Sequence, residues 1–269
     1  MKTTSKLSLA LILLLATSSL SGCKLYNMVK EGLFGEGTPD KPKEDAGPPP
    51  PVDMSNYGYI QGIITLKGKA PKTDSIDMSM DPACSMGSKN ASEQIVSKEG
   101  GLGNVFVYLK EGLIPRKAPA DTPAVVIDQK GCKFTPHVVA IQRGASVEFR
   151  NSDPTMHNVH VTPSNSENQA VDYSIGPGGA AKKATFTALE KMMPVRCNNH
   201  PWMSGYINVA PTSYFAVSAP DGTFRMPPLP PGQYLVAFVH ESLGEQEFQV
   251  NVPAQGAGDA STTFEIPKK

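Results

Sequence analysis

Short segments in which apolar and polar residues alternate recur along the chain from Tyr57 onward. Alternation with a period of two is typical of strands that bury one face, and no long segment shows the helical period of about 3.6 residues. Gly- and Pro-rich turns separate the segments, and Asp221-Gly222 is a hairpin-turn signal. The sequence therefore predicts an all-β fold made of sandwiches. Strands are predicted at Tyr59–Leu66, Asn104–Leu109, Val147–Arg150, His157–Val161, Ala184–Leu189, Tyr206–Val209, Tyr214–Ala219, Thr223–Met226, Tyr234–His240 and Glu247–Val252.

The composition limits the functional classes. The 25 Lys and Arg residues balance 25 Asp and Glu residues, so the chain lacks the basic surface that nucleic-acid binding requires. A hydrophobic fraction of 39% supports a folded core but not several membrane spans. Five His and four Cys are too few for a multi-copper oxidase centre. The length leaves room for one or two small domains.

The N-terminal segment predicts export and lipid attachment. A charged start precedes the apolar run Leu7–Leu15, which is too short to span a bilayer. The following Leu20-Ser-Gly-Cys23 resembles a bacterial lipobox, which implies a signal peptide at 1–22 and a lipid on Cys23. An ordinary cleaved signal is the alternative. We expect a periplasm-facing protein anchored in the bacterial cell envelope, with the outer membrane favoured because Lys24 rather than Asp follows the Cys.

The rest of the chain divides by composition. Residues 23–56 are predicted to be a flexible tether, because they are rich in Pro and Gly and include the run Pro48–Pro51. Three β-rich parts follow, at 57–118, 119–211 and 212–269.

The candidate chemistry lies in the middle part. Cys197, His200 and Met203 stand within seven residues, in a loop between two predicted strands, and His157 offers a second imidazole upstream. Two imidazoles and a thiolate in one plane, with a distant axial thioether, are the ligands of a type 1 copper site. The sequence therefore predicts a site for one copper ion.

The same region resembles the plastocyanin and amicyanin type of cupredoxin. The first ligand half is matched by Phe134-Thr-Pro136, Val147-Glu-Phe149, Asn151-Ser-Asp153 and His157-Asn-Val159, and the second by Cys197-x2-His200-x2-Met203 with Ile207-Asn-Val209. The resemblance implies a Greek-key sandwich at 119–211 with copper ligands His157, Cys197, His200 and Met203. It also implies that Asn158 hydrogen-bonds near the Cys sulfur and joins the two ligand loops, and that His200 presents an exposed edge for electron exit.

Other residues compete for the ligand roles. His160 is an alternative to His157, but a strand turns the side chains of these two residues to opposite faces, and the His-Asn-Val match selects His157. Met192 and Met193 precede Cys197 on the incoming strand, and we interpret them as core residues rather than axial ligands.

The two remaining cysteines, Cys84 and Cys132, predict a disulfide in an oxidising compartment. The alternative is a second copper site, in which Cys84 acts with Met78, Met80 and Met86.

The last part resembles a carboxypeptidase regulatory-like domain, which has a transthyretin-like β-sandwich. Asp221-Gly-Thr-Phe224 and Pro231-Gly-Gln-Tyr234 match its turns, and Gly58–Ile64 and Asn104–Leu109 resemble its first strands. We therefore expect 57–118 and 212–269 to build one sandwich, with the copper domain inserted between them. The alternative is that 57–118 adds strands to the copper domain.

These observations favour a membrane-anchored, non-enzymatic protein that carries single electrons between redox protein partners. Two alternatives are a lipoprotein that binds or delivers copper and a structural surface protein with a vestigial metal site.

Overall fold

A computed structural model describes residues 54–71, 75–86 and 91–267. The predicted signal peptide 1–22, the predicted lipid site Cys23 and nearly all of the predicted tether lie outside the described residues. Within the described ranges, no helix has the length and apolar character needed to cross a membrane.

The described residues are almost entirely strands and connecting turns, and the short helix α1 spans Pro82–Ser85. The strands in chain order are β1 Tyr59–Lys67, β2 Phe106–Glu111, β3 Val125–Gln129, β4 Phe134–Thr135, β5 Val138–Gln142, β6 Ser146–Asn151, β7 His157–Val161, β8 Val171–Ile175, β9 Lys182–Thr185, β10 Glu190–Arg196, β11 Ser204–Ala210, β12 Phe215–Val217, β13 Thr223–Arg225, β14 Gly232–His240, β15 Gly244–Val252, β16 Ala257–Asp259 and β17 Thr262–Glu265.

Strands β3 to β11 form an inner sandwich of two sheets. One sheet has the order β4-β3-β6-β9 and the other the order β5-β11-β10-β7-β8. Their facing apolar side chains, among them Phe134, Phe149 and Ile207, form one buried cluster that also contains Cys197 and Met203. Burial of this cluster is the main favourable contribution to the stability of the inner sandwich.

The strands on either side of this insert form an outer sandwich. β1 pairs with β13, β16 and β17, whereas β2 lies in a sheet of order β12-β2-β14-β15. All of these partners come from the C-terminal part of the chain. A second buried cluster, which includes Ile60, Leu109 and Phe238, lies between the two sheets.

The ends of the inner sandwich lie next to each other. The backbone N–H of Arg116 donates to the carbonyl of Pro211 at 3.0 Å, so the chain enters and leaves the insert at one place. A third buried cluster, which includes Phe106, Ala140 and Ala210, packs β2 of the outer sandwich against β5 and β11 of the inner one.

The predicted hairpin at Asp221-Gly222 is wrong in one respect. The turn is present, with the N–H of Gly222 donating to the carbonyl of Ala219 at 2.8 Å. The flanking strands do not pair with each other, however, because β12 pairs with β2 and β13 pairs with β1. β1, rather than β12, is the partner of β13, and the N–H of Ile64 donates to the carbonyl of Gly222.

The predicted strand Ala184–Leu189 is longer than the observed strand, since β9 ends at Thr185. Beyond that point, the side-chain oxygen of Asn168 accepts hydrogen bonds from the N–H groups of Thr187 and Ala188. A buried amide thus replaces a neighbouring strand as the partner of this backbone.

Candidate metal centre

The candidate ligands lie at one end of the inner sandwich. His157 is the first residue of β7, and Cys197 directly follows β10. The loop 197–203 then leads into β11 and is closed by two backbone hydrogen bonds. The N–H of Met203 donates to the carbonyl of His200, and the N–H of Cys197 donates to the carbonyl of Met203. The tight loop turns Cys197 and His200 toward β7.

Three ligand atoms converge there. Nδ1 of His157 lies 2.9 Å from Nδ1 of His200, and Sγ of Cys197 lies 3.6 Å from Nδ1 of His200. The three donor atoms all lie within 4.8 Å of one another, and all three side chains are buried. Cys197 is the free cysteine among the described residues.

The second ring nitrogen of each imidazole, Nε2, contacts a carboxylate. Nε2 of His157 lies 2.9 Å from Oδ2 of Asp153, and Nε2 of His200 lies 2.9 Å from Oδ2 of Asp81. Because a carboxylate only accepts, each Nε2 donates a hydrogen bond to its carboxylate, and Nδ1 is the nitrogen left to bind a metal ion. A metal ion bound to both Nδ1 atoms would account for their close approach.

The protonation states of His157 and Asp81 are compatible with metal binding. Burial lowers the pKa of His157 from its ordinary value of 6.5, and the hydrogen bond to Asp153 only partly offsets this effect. The ring is therefore neutral at neutral pH, which is the form that binds metals. Hydrogen bonds from Thr155 and then His200 lower the pKa of Asp81 from its ordinary value of 3.8, so that its carboxylate is ionised.

Asn158 connects the two ligand segments. Its backbone N–H donates to Sγ of Cys197 at 3.3 Å, and its side-chain oxygen accepts from the N–H of Asn198 at 3.5 Å. Its side-chain nitrogen donates to Asp172 at 2.6 Å. The sulfur therefore has a hydrogen-bond donor, and both ligand segments are held to one residue.

The remaining predicted ligands occupy different environments. The side chain of Met203 is 1% exposed and lies in the core beside the cluster, and its role as axial ligand stays a prediction. His160 lies on the opposite face of β7, where it contacts Asp172 and leaves 39% of its side chain exposed. Met193 is a core residue of the inner sandwich.

The expected exposed edge of His200 is absent. Its side chain is only 5% exposed, because Asp81 covers Nε2. The ring also packs against Trp202, with 5.1 Å between the ring centroids.

Cys84 and Cys132 form a disulfide next to the ligands. The sulfur of Cys84 lies within 4.8 Å of ligand atoms of Asp81 and His200. This bond leaves Cys84 no thiolate, so the alternative of a second copper site with that ligand does not fit. Met80 and Met86 are 74% and 83% exposed.

Sequence reasoning missed the carboxylate partners Asp81 and Asp153. Asp153 precedes His157 by four residues and ends the Asn151-Ser-Asp153 motif, so its position close to His157 could have been predicted from the sequence. Asp81 is 119 residues from His200. Its only signal was its position three residues before Cys84, whose partner Cys132 belongs to the inner sandwich.

Comparison with known proteins supports copper as the ion. Residues 122–210 match the family model described as copper binding proteins, plastocyanin/azurin family. A comparison with curated proteins finds no match.

Solved structures with similarity to the chain include amicyanin variants and a nitrite reductase. A Cu(I) form of a methionine-to-alanine variant of amicyanin is 22% identical, with 38% of this chain and 97% of that chain covered and a TM-score of 0.29. A reduced form of a proline-to-glycine variant of amicyanin is 24% identical, with the same coverage and TM-score. A copper-containing nitrite reductase from Thermus scotoductus SA-01 is 21% identical, with 54% of this chain and 28% of that chain covered and a TM-score of 0.29.

Residues 122–210 thus resemble the plastocyanin/azurin family of copper proteins, and they fold as an all-β sandwich. The cofactor is one copper ion, which the cluster of one cysteine sulfur and two imidazole nitrogens fits.

Proposed function

We propose that this protein carries single electrons between redox proteins, and that His157, Cys197, His200 and Met203 hold the copper ion. The observation that carries the proposal is the buried convergence of the first three residues within 4.8 Å, inside the family-matched region. Electron carriage is favoured over catalysis because the donor atoms are buried under neighbouring side chains, which leaves little room for a substrate.

The residues around the copper position prepare it for fast electron transfer. Copper supplies a Cu(II)/Cu(I) couple when it is bound. Asp153 accepts from the backbone N–H groups of Gly131 and Cys132 as well as from His157, so this ligand is attached to a hydrogen-bonded turn. A ligand set that is held before the metal arrives needs little rearrangement when the charge of the metal changes.

The proposed setting is the bacterial cell envelope. The lipobox-like Leu20-Ser-Gly-Cys23 supports a lipid anchor, and the following Pro-rich residues support a tether to the folded part. The membrane and the redox protein partners are the proposed contacts, and no nucleic acid is expected.

We assign the outer sandwich a scaffolding role as a carboxypeptidase regulatory-like domain. Its sequence motifs and the pairing of β1 and β2 with C-terminal strands support this assignment. Its strand β2 packs against β5 and β11 of the copper domain, and we expect this contact to stabilise the copper domain.

Copper loading and redox titration of the purified protein test the proposal. We expect one equivalent of copper to give an intense blue or green thiolate-to-copper absorption that bleaches reversibly with one electron. Cys197→Ser removes the thiolate and should abolish the colour.

A matched pair on β7 tests the ligand assignment. His157→Ala should weaken copper binding by at least tenfold, whereas His160→Ala, three residues on and facing away, should leave binding and colour unchanged. A colourless protein that binds only Cu(I) would indicate copper handling, and a protein without copper uptake would contradict both functions.

A further inference from the structure

The segment 75–86 covers the copper end of the inner sandwich, although it lies outside the family-matched residues. The Cys84–Cys132 disulfide joins it to the turn between β3 and β4, and Met78 and Cys84 belong to the inner core cluster. The indole N–H of Trp202 donates to the carbonyl of Cys132 at 3.2 Å, so the ligand loop contacts the same turn. The segment is therefore fixed to the sandwich at the position of the ligands.

Asp81 uses this position to contact both ligand segments. Its Oδ1 accepts from the N–H of Ala83 at 2.8 Å and so caps α1. Its Oδ2 accepts from the hydroxyl of Thr155, two residues before His157, at 2.8 Å, and from Nε2 of His200 at 2.9 Å. The carboxylate thus accepts hydrogen bonds from three donors, and together they fix its plane.

We propose that Asp81 is a positioning residue for His200, which it holds with Nδ1 toward the copper position while making that nitrogen more basic. The inference rests on the proposed copper function. A carboxylate that accepts from the far N–H of a ligand imidazole raises the basicity of the ligand and fixes its tautomer. The more basic ligand favours Cu(II) over Cu(I), so Asp81 lowers the reduction potential of the centre.

The magnitude follows from the typical cost of losing such a partner. Removing it weakens metal binding about 10- to 100-fold. If Cu(II) binding is weakened about tenfold relative to Cu(I) binding, the potential of a one-electron couple rises by about 59 mV.

Asp81→Asn is the decisive variant, because Asn still caps a helix and has nearly the same shape, but it lacks the charge. Potentials of copper-loaded wild type and variant are measured at one neutral pH. Asp77→Asn is the matched control. It removes the same charge from the same segment, at a carboxylate that hydrogen-bonds Ser79 instead of a ligand.

We expect the potential of Asp81→Asn to rise by about 59 mV, with a much smaller rise for Asp77→Asn. Proton NMR of the Cu(I) form gives an independent readout. Wild type should show two slowly exchanging imidazole N–H protons, one for each ligand histidine, and Asp81→Asn should lose the protection of the His200 proton alone. The wild-type spectrum tests the hydrogen bond even if the variant fails to fold.

Equal shifts in both variants, or an unchanged potential with a protected His200 proton in Asp81→Asn, overturn the role of Asp81. If wild type nevertheless binds copper with a type 1 spectrum, the proposed function stands and only the role of Asp81 fails. A wild type without such a spectrum overturns the proposed function first.

Discussion

Removal of the disulfide should destabilise the inner sandwich and release the segment that covers the ligands. The double variant Cys84→Ala/Cys132→Ala is the perturbation, since alanine leaves neither a thiol that binds copper nor a buried hydroxyl. Cys84 and Cys132 are 3% and 2% exposed, so both positions lie in the core.

The magnitude follows from the length of the loop that the bond closes. The two cysteines are 48 residues apart. A cross-link of this span removes about 14 cal/mol/K of chain entropy from the unfolded state, which corresponds to about 4 kcal/mol at 25 °C. This value is an upper limit for the change in the free energy of unfolding, because a cross-link removes less entropy from an unfolded chain that retains residual structure.

Urea unfolding of the metal-free protein in the presence of a chelator measures the change. We expect the free energy of unfolding of the double variant to be lower than that of the oxidised wild type by about 2–4 kcal/mol. Wild type reduced with a thiol reagent should show nearly the same loss. A reduced wild type as stable as the oxidised protein would refute the reasoning.

Two further predictions concern stability. Glu190→Gln should lower the free energy of unfolding at neutral pH by about 2 kcal/mol, because the buried carboxylate accepts from the N–H and hydroxyl of Ser164. Burial raises the pKa of Glu190, but hydrogen bonds from Ser164, Asn168 and Asn165 together outweigh it and bring the pKa below its ordinary value of 4.5. The stabilisation is therefore present above pH 4.5 and is lost as the pH falls through the folded value. A urea series across acid pH should show a steeper loss of stability in wild type than in the variant, and an equal acid slope in the two proteins would contradict it. Gly222→Ala should cost more than about 2 kcal/mol, because φ is 80° and an added Cβ would lie 2.1 Å from the carbonyl oxygen of Ile64. Gly244→Ala is the control, with φ of 83° and no atom within 4 Å of the added Cβ, and it should cost about 1 kcal/mol. Equal thermal shifts for the two variants would exclude the steric contact.

The fold class was predictable because alternation of apolar and polar residues is a local property. The all-β prediction is confirmed, and β7 was predicted with the bounds His157–Val161 that the structure shows. Strands without alternation were missed. β5, Val138–Gln142, is buried on both faces for most of its length, so its sequence has no period of two. β10 contains Pro194, which argues against a central strand in a sequence.

The candidate site was predictable to the extent that its residues are close in sequence. Cys197 and His200 belong to one short loop, and His157 follows a recognisable segment. The contact of Asp81 with His200 depends on how a separate segment folds over the sandwich, and no local pattern distinguishes this carboxylate from the many exposed ones. The burial of His200, which was expected to have an exposed edge, could not be predicted for the same reason. Asp81, which covers the ring, lies outside the copper domain in the sequence.

The adjacent ends of the inner sandwich affect the order in which the whole chain assembles. In the outer sandwich, Thr65 of β1 meets Thr263 of β17 across 198 residues. The entropy cost of closing a flexible loop grows with its length. Once the insert has folded, the Arg116–Pro211 contact replaces a long flexible loop with a short connection. A ligand that stabilises the folded insert, such as copper, therefore also favours closure of the surrounding strands, so stability gained at the metal site extends to the outer sandwich.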